Sequence, residues 1–317
     1  IVSSFGEKCG VSEYTRNLTE ELLNRDVDIK VVANYAKDNL EIDPIYVRRL
    51  FHCPFMTNQI TADVDGMFDY LKDRELVHVQ FETSLYHFSW MPALLKKLKE
   101  VGIKIIFTMH SGGIWSDIDL KLIDFFITHE IMWCSVKTTK LNSVIPMGIK
   151  FYKYKVPPNY NKMMSFGLGR NNDDFIKEAI KDTNIEYETS YGNQKWLPIE
   201  ELVSKIQNSW ILSLLYPPVG ANVSSSAIIL AIGCERPILI TNTNWFKHVI
   251  NYPGLYLCDS IEDIKDNIRY LLDPQNRNRI SEDLLLRRRL IEADGRSYNS
   301  FVDKHIKIYN QIIINDF

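Results

Sequence analysis

The sequence predicts an α/β protein with two Rossmann-like, doubly wound domains that face each other across a cleft. The first observation is length, because 317 residues correspond to about two domains at roughly 150 residues each. The second is composition, since 45% hydrophobic and 24% charged residues are typical of a globular chain with sizeable cores. The third is an alternation of apolar runs and amphipathic segments that occurs twice along the chain and predicts two parallel sheets.

Strands and helices alternate through the first half. Apolar runs predict strands at 1–4, 29–33, 76–81, 103–109, 123–128, 131–136 and 144–149, with helices at 11–22 and 91–101. The run 103–109 is continuously apolar, so a strand there needs cover on both faces, as in a parallel sheet. Residues 35–74 show no clear period.

The alternation restarts after a predicted linker. Residues 150–162 are rich in Lys, Tyr and Asn and contain Pro157 and Pro158, a composition typical of an interdomain segment. Beyond it, strands are predicted at 163–168, 185–191, 210–216, 237–241 and 254–258, and helices at 174–181, 199–207, 225–233, from 260 onward, 275–293 and 297–314. The predicted domains are 1–155 and 156–296, and we expect a C-terminal helix in 297–317 to pack back on the first domain.

Charge and cysteine content exclude several classes. The formal net charge is −3, from 37 Lys and Arg against 40 Asp and Glu, so no overall field attracts nucleic acid or an anionic bilayer. The five cysteines are scattered without a C-x-x-C pair, which predicts neither a disulfide framework nor a zinc site and fits a reducing cytoplasm. The longest apolar runs are far shorter than the ~20 residues of a membrane span.

Small residues crowd the start of the helix predicted at 225–233. The segment 217–226 reads Pro-Pro-Val-Gly-Ala-Asn-Val-Ser-Ser-Ser and includes Gly220, Asn222, Ser224, Ser225 and Ser226. The first N–H groups of a helix are unpaired and carry partial positive charge, so this helix start suits a diphosphate. The alternative is that one serine only caps the helix.

Glycines and an arginine follow the first strand of the second domain. Gly167 and Gly169 let the backbone approach a ligand closely, and Arg170 can bind phosphate oxygens through its planar guanidinium. The alternative for Arg170 is a surface charge. A dinucleotide fingerprint would need glycine where Asn172 stands, so NAD is not expected.

The first domain contains a second set of candidates. Gly6 and Gly10 permit a tight turn onto a helix start, and Lys8 can meet an anion there; a purely structural turn is the alternative. His110 directly follows the strand at 103–109, and Glu82 directly follows the strand at 76–81. Both are therefore expected at the carboxyl edge of the sheet, where ligands bind, although Glu82 has helix capping as an alternative.

The remaining polar residues have structural expectations. His78 is expected to pack within its strand, and His52, His129 and His305 to be structural or solvated. Two Asp-x-Asp triplets, at 63–65 and 117–119, are expected to be turn or helix-start acids, so no metal site is predicted. Neither a G-x-S-x-G elbow nor a G-x-x-x-x-G-K-[ST] loop occurs, which excludes the hydrolase and P-loop classes that depend on them.

Taken in order, these segments resemble the family-four group of retaining, nucleotide-sugar-dependent glycosyltransferases, which have the GT-B fold. The likeness spans most of the chain. It is carried by the glycine loop and helix at 6–23, the strand-end histidine, Val-Ile-Pro-Met-Gly-Ile at 144–149, the Gly-Arg element at 165–170, and the segments 196–202 and 230–239.

The resemblance implies a hexosyltransferase of class EC 2.4 that moves a sugar from a UDP- or GDP-sugar co-substrate to a glycan, lipid-linked or small-molecule acceptor. It implies retention, no cofactor, no metal, and a cytoplasmic protein, with peripheral membrane contact where the acceptor is lipid-linked. It implies a catalytic role for His110 and an acceptor loop with Gly6 and Lys8, whereas Glu82 is a second catalytic candidate from its strand-end position alone. The residues implied for the donor diphosphate are Gly10, Gly169, Arg170, Ser224, Ser225 and Ser226, with Gly167, Gly220 and Asn222 beside them.

The chain departs from the family pattern at two acidic positions. The family has one glutamate in the loop and another in the following helix, which holds the donor ribose, whereas this chain has Asn222 and Leu230. The family's lysine shortly after the arginine is also absent from 171–175. Two alternatives therefore stay open: a catalytically silent subunit of the same fold that binds a partner or a glycan, and a sugar-nucleotide epimerase.

Overall fold

Two compact units make up the chain. The structure, a computed structural model, describes residues 1–35, 43–54, 59–87, 89–110, 117–129, 142–153, 157–167, 172–191, 197–218 and 225–314. Ile1–Pro146 and Val302–Phe317 form the first unit, and Met147–Phe301 form the second.

A parallel sheet of seven strands is the centre of the first unit. Its strands are β1 (Val2–Ser3), β2 (Val31–Asn34), β3 (Val47–Phe51), β4 (Leu76–Phe81), β5 (Lys104–Met109), β6 (Phe125–Thr128) and β7 (Asn142–Val144). Their order is β3-β2-β1-β4-β5-β6-β7, and every neighbouring pair is parallel. In this doubly wound order, the direction in which the chain adds strands reverses between β1 and β4.

The helices α1 (Gly10–Leu23), α2 (Val64–Leu71) and α3 (Met91–Glu100) belong to the first unit. In α3, Leu94, Leu95 and Leu98 recur at helical spacing and are completely buried. They form one apolar cluster with strand residues such as Val79 and Phe107. Burying one such leucine stabilises the fold by about 1.5–3 kcal/mol, so this face fixes α3 on the sheet.

The second unit has a five-stranded parallel sheet. Its strands are β8 (Asn159–Gly167), β9 (Glu186–Tyr191), β10 (Ser209–Leu214), β11 (Ile238–Ile240) and β12 (Leu255–Leu257). The order is β12-β11-β10-β8-β9, again with parallel neighbours only. The reversal lies between β8 and β10, and the prediction of two doubly wound, parallel-sheet units is confirmed.

The helices of the second unit include a nearly all-apolar one. They are α4 (Asp173–Ile180), α5 (Ile199–Asn208), α6 (Ser226–Gly233), α7 (Ile261–Leu272) and α8 (Arg277–Ala293). In α6, Ile228 and Ile232 are completely buried. A Cβ at Gly233 would lie 2.1 Å from the carbonyl oxygen of Lys150, so glycine is required for this close approach.

Two buried arginines join α8 to the sheet of the second unit. Arg287 of α8 is 1% exposed and donates to the carbonyl oxygen of Arg236 at 2.9 Å. Arg236 is 2% exposed and donates to the carbonyl oxygen of Ser209, at the start of β10, at 3.0 Å. The two guanidinium groups therefore donate hydrogen bonds to backbone carbonyl oxygens in the protein interior, where an unpaired carbonyl oxygen would be costly.

The last helix, α9 (Tyr298–Ile314), has residues in both units. Its first N–H, that of Tyr298, donates to the carbonyl oxygen of Ile149 at 3.0 Å. From Val302 onward it belongs to the first unit, where the Tyr309 hydroxyl lies 2.6 Å from His78 Nδ1.

Several sequence-based bounds need correction. Strand β8 begins at Asn159, inside the expected linker. Its first residues are exposed and mostly polar, so no apolar run marks them in the sequence, whereas 163–166 are buried. The strand expected at 144–149 is instead β7, Asn142–Val144. Residues 35–74 contain β3 and α2, and β3 escaped detection because Arg48 and Arg49 interrupt its apolar pattern. The strand predicted at 131–136 lies outside the described residues.

Candidate functional site

Each sheet has one point where strand order reverses, and ligands of doubly wound proteins bind outside the carboxyl ends of strands at such points. In the first unit this point lies between β1 and β4. The loop after β1 contains Gly6, Lys8 and Gly10, and Glu82 directly follows β4. In the second unit the point lies between β8, which ends at Gly167, and β10.

Polar contacts hold the loop of residues 4–10, which we call the glycine loop. Gly6 has φ of +70°, a conformation that favours glycine. Arg49 of β3 donates from Nη1 to the Phe5 carbonyl oxygen at 3.2 Å. The side-chain amide of Asn34 donates to Glu7 Oε1 at 3.1 Å. Strands β2 and β3 thus determine the shape of this loop.

The helix after the glycine loop begins at Gly10, one residue before the start predicted from hydrophobic spacing. Cys9 is its N-cap, and the Cys9 Sγ accepts a hydrogen bond from the Ser12 N–H at 3.4 Å. Burial raises the pKa of the Cys9 thiol, so the cap is a neutral thiol at pH 7. Lys8 precedes this cap and is partly exposed.

His110 lies at the carboxyl end of β5, and both of its ring nitrogens have partners. Nε2 lies 2.9 Å from Gln80 Oε1, and Nδ1 lies 3.3 Å from His129 Nε2. His129 Nδ1 in turn donates to the Ile145 carbonyl oxygen at 3.0 Å. A substrate hydroxyl that bonded to a ring nitrogen of His110 would therefore compete with a protein partner.

Two further histidines complete a group that we call the histidine cluster: His78, His110, His129 and His305. His78 Nε2 lies 2.7 Å from the Thr108 hydroxyl, and His78 Nδ1 lies 2.6 Å from the Tyr309 hydroxyl. The Tyr14 hydroxyl of α1 lies 3.3 Å from His305 Nε2. The cluster thus joins side chains of β4, β5, α1 and α9.

Burial controls the charge of the histidine cluster. It lowers the pKa of His78 and of His110 well below the usual value, and the neighbouring histidines lower both further. Both rings are therefore neutral at pH 7. A neutral imidazole can form hydrogen bonds but brings no positive charge to a diphosphate.

Glu82 accepts hydrogen bonds from the turn that follows it. Its Oε1 accepts from the Thr83 hydroxyl at 3.2 Å and from the Ser84 N–H at 3.4 Å. Such local bonds are a common use of a carboxylate at a strand end. A catalytic role for Glu82 stays a prediction.

The second unit brings together a group that we call the switch-point site: Gly167, Tyr216, Ser225 and Ser226. Gly167 has φ of +120°, and a Cβ there would lie 2.9 Å from the Tyr216 hydroxyl oxygen. The Ser225 hydroxyl lies 3.5 Å from the same oxygen. Tyr216 is 4% exposed, and its ring packs against Phe246 with centroids 5.0 Å apart. A polar hydroxyl is therefore fixed between the end of β8 and the start of α6.

The side chain of Ser225 does not cap α6. Ser225 occupies the N-cap position, but it makes no side-chain capping hydrogen bond. Ser260 at the start of α7, in contrast, accepts from the Asp263 N–H. The N–H groups in the first turn of α6 have no partner within the helix, and the positive end of the helix dipole lies at the same place. Both features favour an anion at the start of α6.

Several residues implied for donor binding lie outside the described residues: Gly169, Arg170, Gly220, Asn222 and Ser224. Their roles stay predictions. Leu230, at one of the two departures from the family pattern, is described, and its partly buried side chain packs against the apolar core of the second unit.

The Asp-x-Asp triplets supply helix-start acids. Asp63 accepts from the Gly66 N–H at 2.8 Å, and Asp119 accepts from the Lys121 N–H at 2.9 Å. Among the described residues, no group of three or more His, Cys, Asp or Glu side chains is placed to hold a metal ion. Within the same part of the chain, no helix combines the length and the apolar character that crossing a membrane requires.

Sequence reasoning did not select Gln80, His129, His305 or Tyr216. His129 directly follows β6, as His110 follows β5, and Tyr216 lies just beyond β10. The strand-end rule could therefore have found both. His305 comes from α9, where the sequence carries no comparable signal.

No protein-family model and no curated protein sequence matches the chain, whereas solved structures match it over nearly its whole length. A glycosyltransferase from Rickettsia africae has a TM-score of 0.65 at 12% identity, covering 97% of this chain and 96% of that chain. Sucrose-phosphate synthase from Thermosynechococcus elongatus has a TM-score of 0.66 at 13% identity, covering 99% and 98%. The Anabaena protein HepE in complex with UDP and glucose has a TM-score of 0.64 at 9% identity, covering 98% of each chain. At these identities the likeness concerns the fold, and the chain has the GT-B fold that the sequence predicted.

Proposed function

We propose that the protein is a glycosyltransferase that moves a sugar from a nucleoside diphosphate sugar to an acceptor. The observation that carries the proposal is the switch-point site, where a positive-φ glycine, a buried hydroxyl and a helix start meet at the strand reversal of the second unit. Support comes from the fold, since one structure with the same fold is a complex with UDP and glucose.

The switch-point site suits a diphosphate on physical grounds. Gly167 has no side chain to obstruct a ligand, the Tyr216 hydroxyl can donate a hydrogen bond, and Ser226 begins a helix whose first N–H groups favour anions. Donors that are already oriented stabilise the charge that develops on a departing diphosphate. Arg170, Ser224 and the Gly10 helix start are proposed for the same charge.

The proposed reaction proceeds with retention, as the family resemblance implies. It needs no metal ion, because guanidinium and amide donors supply the stabilisation that a cation would otherwise give. His110 would orient the transferred sugar, with Glu82 as a second candidate. The glycine loop, with Gly6 and Lys8, would contact the acceptor, which is a glycan, a lipid-linked sugar or a small molecule. The proposed location is cytoplasmic, with peripheral membrane contact if the acceptor is lipid-linked.

A second candidate is a catalytically silent subunit of the same fold. The observation that favours it is Leu230, whose partly buried side chain packs against the apolar core at a position where the family has an acid for the donor ribose. A leucine cannot accept hydrogen bonds from ribose hydroxyls, so donor affinity in this chain would depend on the diphosphate.

The test is a thermal-shift and calorimetric screen of UDP, GDP, ADP and their sugars, followed by turnover with a mixture of acceptors. At least one nucleotide should raise the melting temperature, because a ligand that binds the folded state stabilises it, and Arg170→Ala should weaken that binding. Binding without turnover would support the silent subunit, and interconversion of sugar nucleotides without acceptor would indicate an epimerase. The proposal would be refuted if no nucleotide bound to the protein and no nucleotide sugar was turned over.

A further inference from the structure

Three hydrogen-bond contacts in a row cross the histidine cluster. His129 Nδ1 lies 3.0 Å from the Ile145 carbonyl oxygen, His110 Nδ1 lies 3.3 Å from His129 Nε2, and the Gln80 side-chain amide lies 2.9 Å from His110 Nε2. Gln80 and His129 are completely buried. A buried polar group left without its hydrogen bond costs about 1–3 kcal/mol, so all three contacts should be made.

Counting hydrogens sets the direction of this row. A carbonyl oxygen only accepts, so His129 Nδ1 carries a hydrogen and, in a neutral ring, His129 Nε2 accepts. His110 must then donate from Nδ1, which leaves His110 Nε2 as an acceptor. The end of the Gln80 amide that faces it must therefore be the NH2 group. A half-turn of the amide exchanges two ends of nearly equal shape and achieves this. It also places Oε1 where Nε2 otherwise lies, 3.4 Å from His78 Nδ1 and 3.3 Å from His78 Nε2, one of which carries a hydrogen in the neutral ring.

The opposite orientation of the Gln80 amide requires a positive charge. With its oxygen toward His110, both ends of the row accept, and three bonds need three ring hydrogens, one more than two neutral imidazoles carry. Burial and the neighbouring histidines keep the pKa of His110 low. The titratable groups that act on the cluster from the described elements include phenols, imidazoles and the N-terminal amine, none of which carries a negative charge at pH 7: Tyr14 of α1, His78 of β4, His305 and Tyr309 of α9, and the amine of Ile1.

We propose that Gln80 and His129 are positioning residues that hold His110 as a neutral imidazole with its hydrogen on Nδ1. The edge-on Tyr14 ring, with its centroid 4.8 Å from that of His110, restricts rotation of the same ring. One consequence rests on the proposed function: His110 acts on the sugar as a fixed neutral ring and takes no proton from the acceptor. The tautomer itself does not depend on that function.

Nitrogen-15 NMR of the ligand-free protein, labelled in its histidine side chains, tests the proposal at pH 7. Both His110 and His129 should carry hydrogen on Nδ1 and none on Nε2, with signals assigned by their loss in His110→Gln and His129→Gln. A hydrogen on Nε2 of His110 in the unsubstituted protein, alone or together with one on Nδ1, would overturn the proposal.

Gln80→Glu provides a matched variant, because an ionised carboxylate has nearly the shape of the amide but cannot donate. His110 should then carry hydrogens on both nitrogens at pH 7, whereas Gln80→Leu should leave the Nδ1–H form. A Gln80→Leu spectrum with the hydrogen of His110 on Nε2 would also overturn the proposal, because His129 Nε2 would then not be the acceptor that sets the direction of the row. If either variant does not fold, the unsubstituted spectrum decides alone. Because no substrate is needed, absence of transferase activity would leave this result unaffected.

Discussion

Ser226→Pro isolates a single backbone N–H at the start of α6. Ser226 is the first residue of that helix, where proline is well tolerated because the N–H has no partner within the helix. Ser225 has φ of −97° and ψ of 119°, the extended conformation that a residue before proline prefers. The second unit should therefore remain folded.

The expected loss falls on ligand binding. A hydrogen bond to a charged group contributes about 1.5–3 kcal/mol, and 1.4 kcal/mol is about tenfold in affinity, so the dissociation constant of the preferred nucleoside diphosphate should rise about 10- to 150-fold. Ser226→Ala is the matched control, because it removes the hydroxyl and keeps the N–H. Its effect should be small, because the phosphate contact is assigned to the backbone N–H and not to the hydroxyl.

Calorimetric titration of the three proteins measures the difference, and circular dichroism with urea unfolding checks that Ser226→Pro is folded. Equal affinities of a folded Ser226→Pro variant and the unsubstituted protein would refute the assignment of phosphate to this helix start. A loss in Ser226→Ala as large as that in Ser226→Pro would show that the hydroxyl, and not the backbone, is the ligand.

Three further predictions concern a glycine, an arginine and a histidine. Gly167→Ala should lower the free energy of unfolding by about 1–2 kcal/mol through its positive φ and weaken nucleotide binding by displacing a hydroxyl 2.9 Å from the new Cβ. Gly102 also has a positive φ, but an added Cβ would have no neighbour within 4 Å, so Gly102→Ala should lower stability without weakening nucleotide binding. Equal nucleotide affinities of Gly167→Ala and Gly102→Ala in calorimetry would contradict the expected effect on binding. Arg287→Met should lower the free energy of unfolding by about 1–3 kcal/mol, whereas Arg289→Met, at an exposed position, should lower it by less than about 0.5 kcal/mol. If urea unfolding gave similar decreases for the two variants, the stabilising role of the buried Arg287 contacts would be contradicted. The folded pKa of His78 lies below the unfolded value of 6.5, so between these two values only the unfolded chain binds that proton. The free energy of unfolding should therefore decrease as the pH falls below 6.5, by up to about 1.4 kcal/mol per pH unit more in the unsubstituted protein than in His78→Gln. Equal slopes in the two proteins would contradict this.

The central strands such as β4, β5 and β10 were predictable because their sequences are mostly apolar. The bounds of β4, Leu76–Phe81, agree with the prediction, and α6 begins one residue later than expected. Strand β3 was missed because its two arginines have tertiary partners: the Arg48 guanidinium lies 4.5 Å from the Tyr70 ring centroid, and Arg49 holds the glycine loop. In the sequence alone, such charges are typical of a loop.

The candidate site was predictable only where chain order reveals position. His110 follows a strand and Ser226 begins a helix, so both could be selected from the sequence. Gln80 is an ordinary strand residue until β4 pairs with β5, which places Gln80 opposite Thr108 and close to the end of β5. His305 enters the histidine cluster through the packing of α9, which hydrophobic periodicity does not specify.

Release of nucleoside diphosphate from a nucleotide sugar tests the central claim most directly. The protein would be incubated with UDP- and GDP-sugars and a mixture of glycan, lipid-linked and small-molecule acceptors, and the free diphosphate measured over time. We expect release from at least one donor, with the sugar recovered on an acceptor and the rate reduced in Ser226→Pro. No release above the protein-free blank from any donor, together with no nucleotide binding, would contradict glycosyl transfer by this chain.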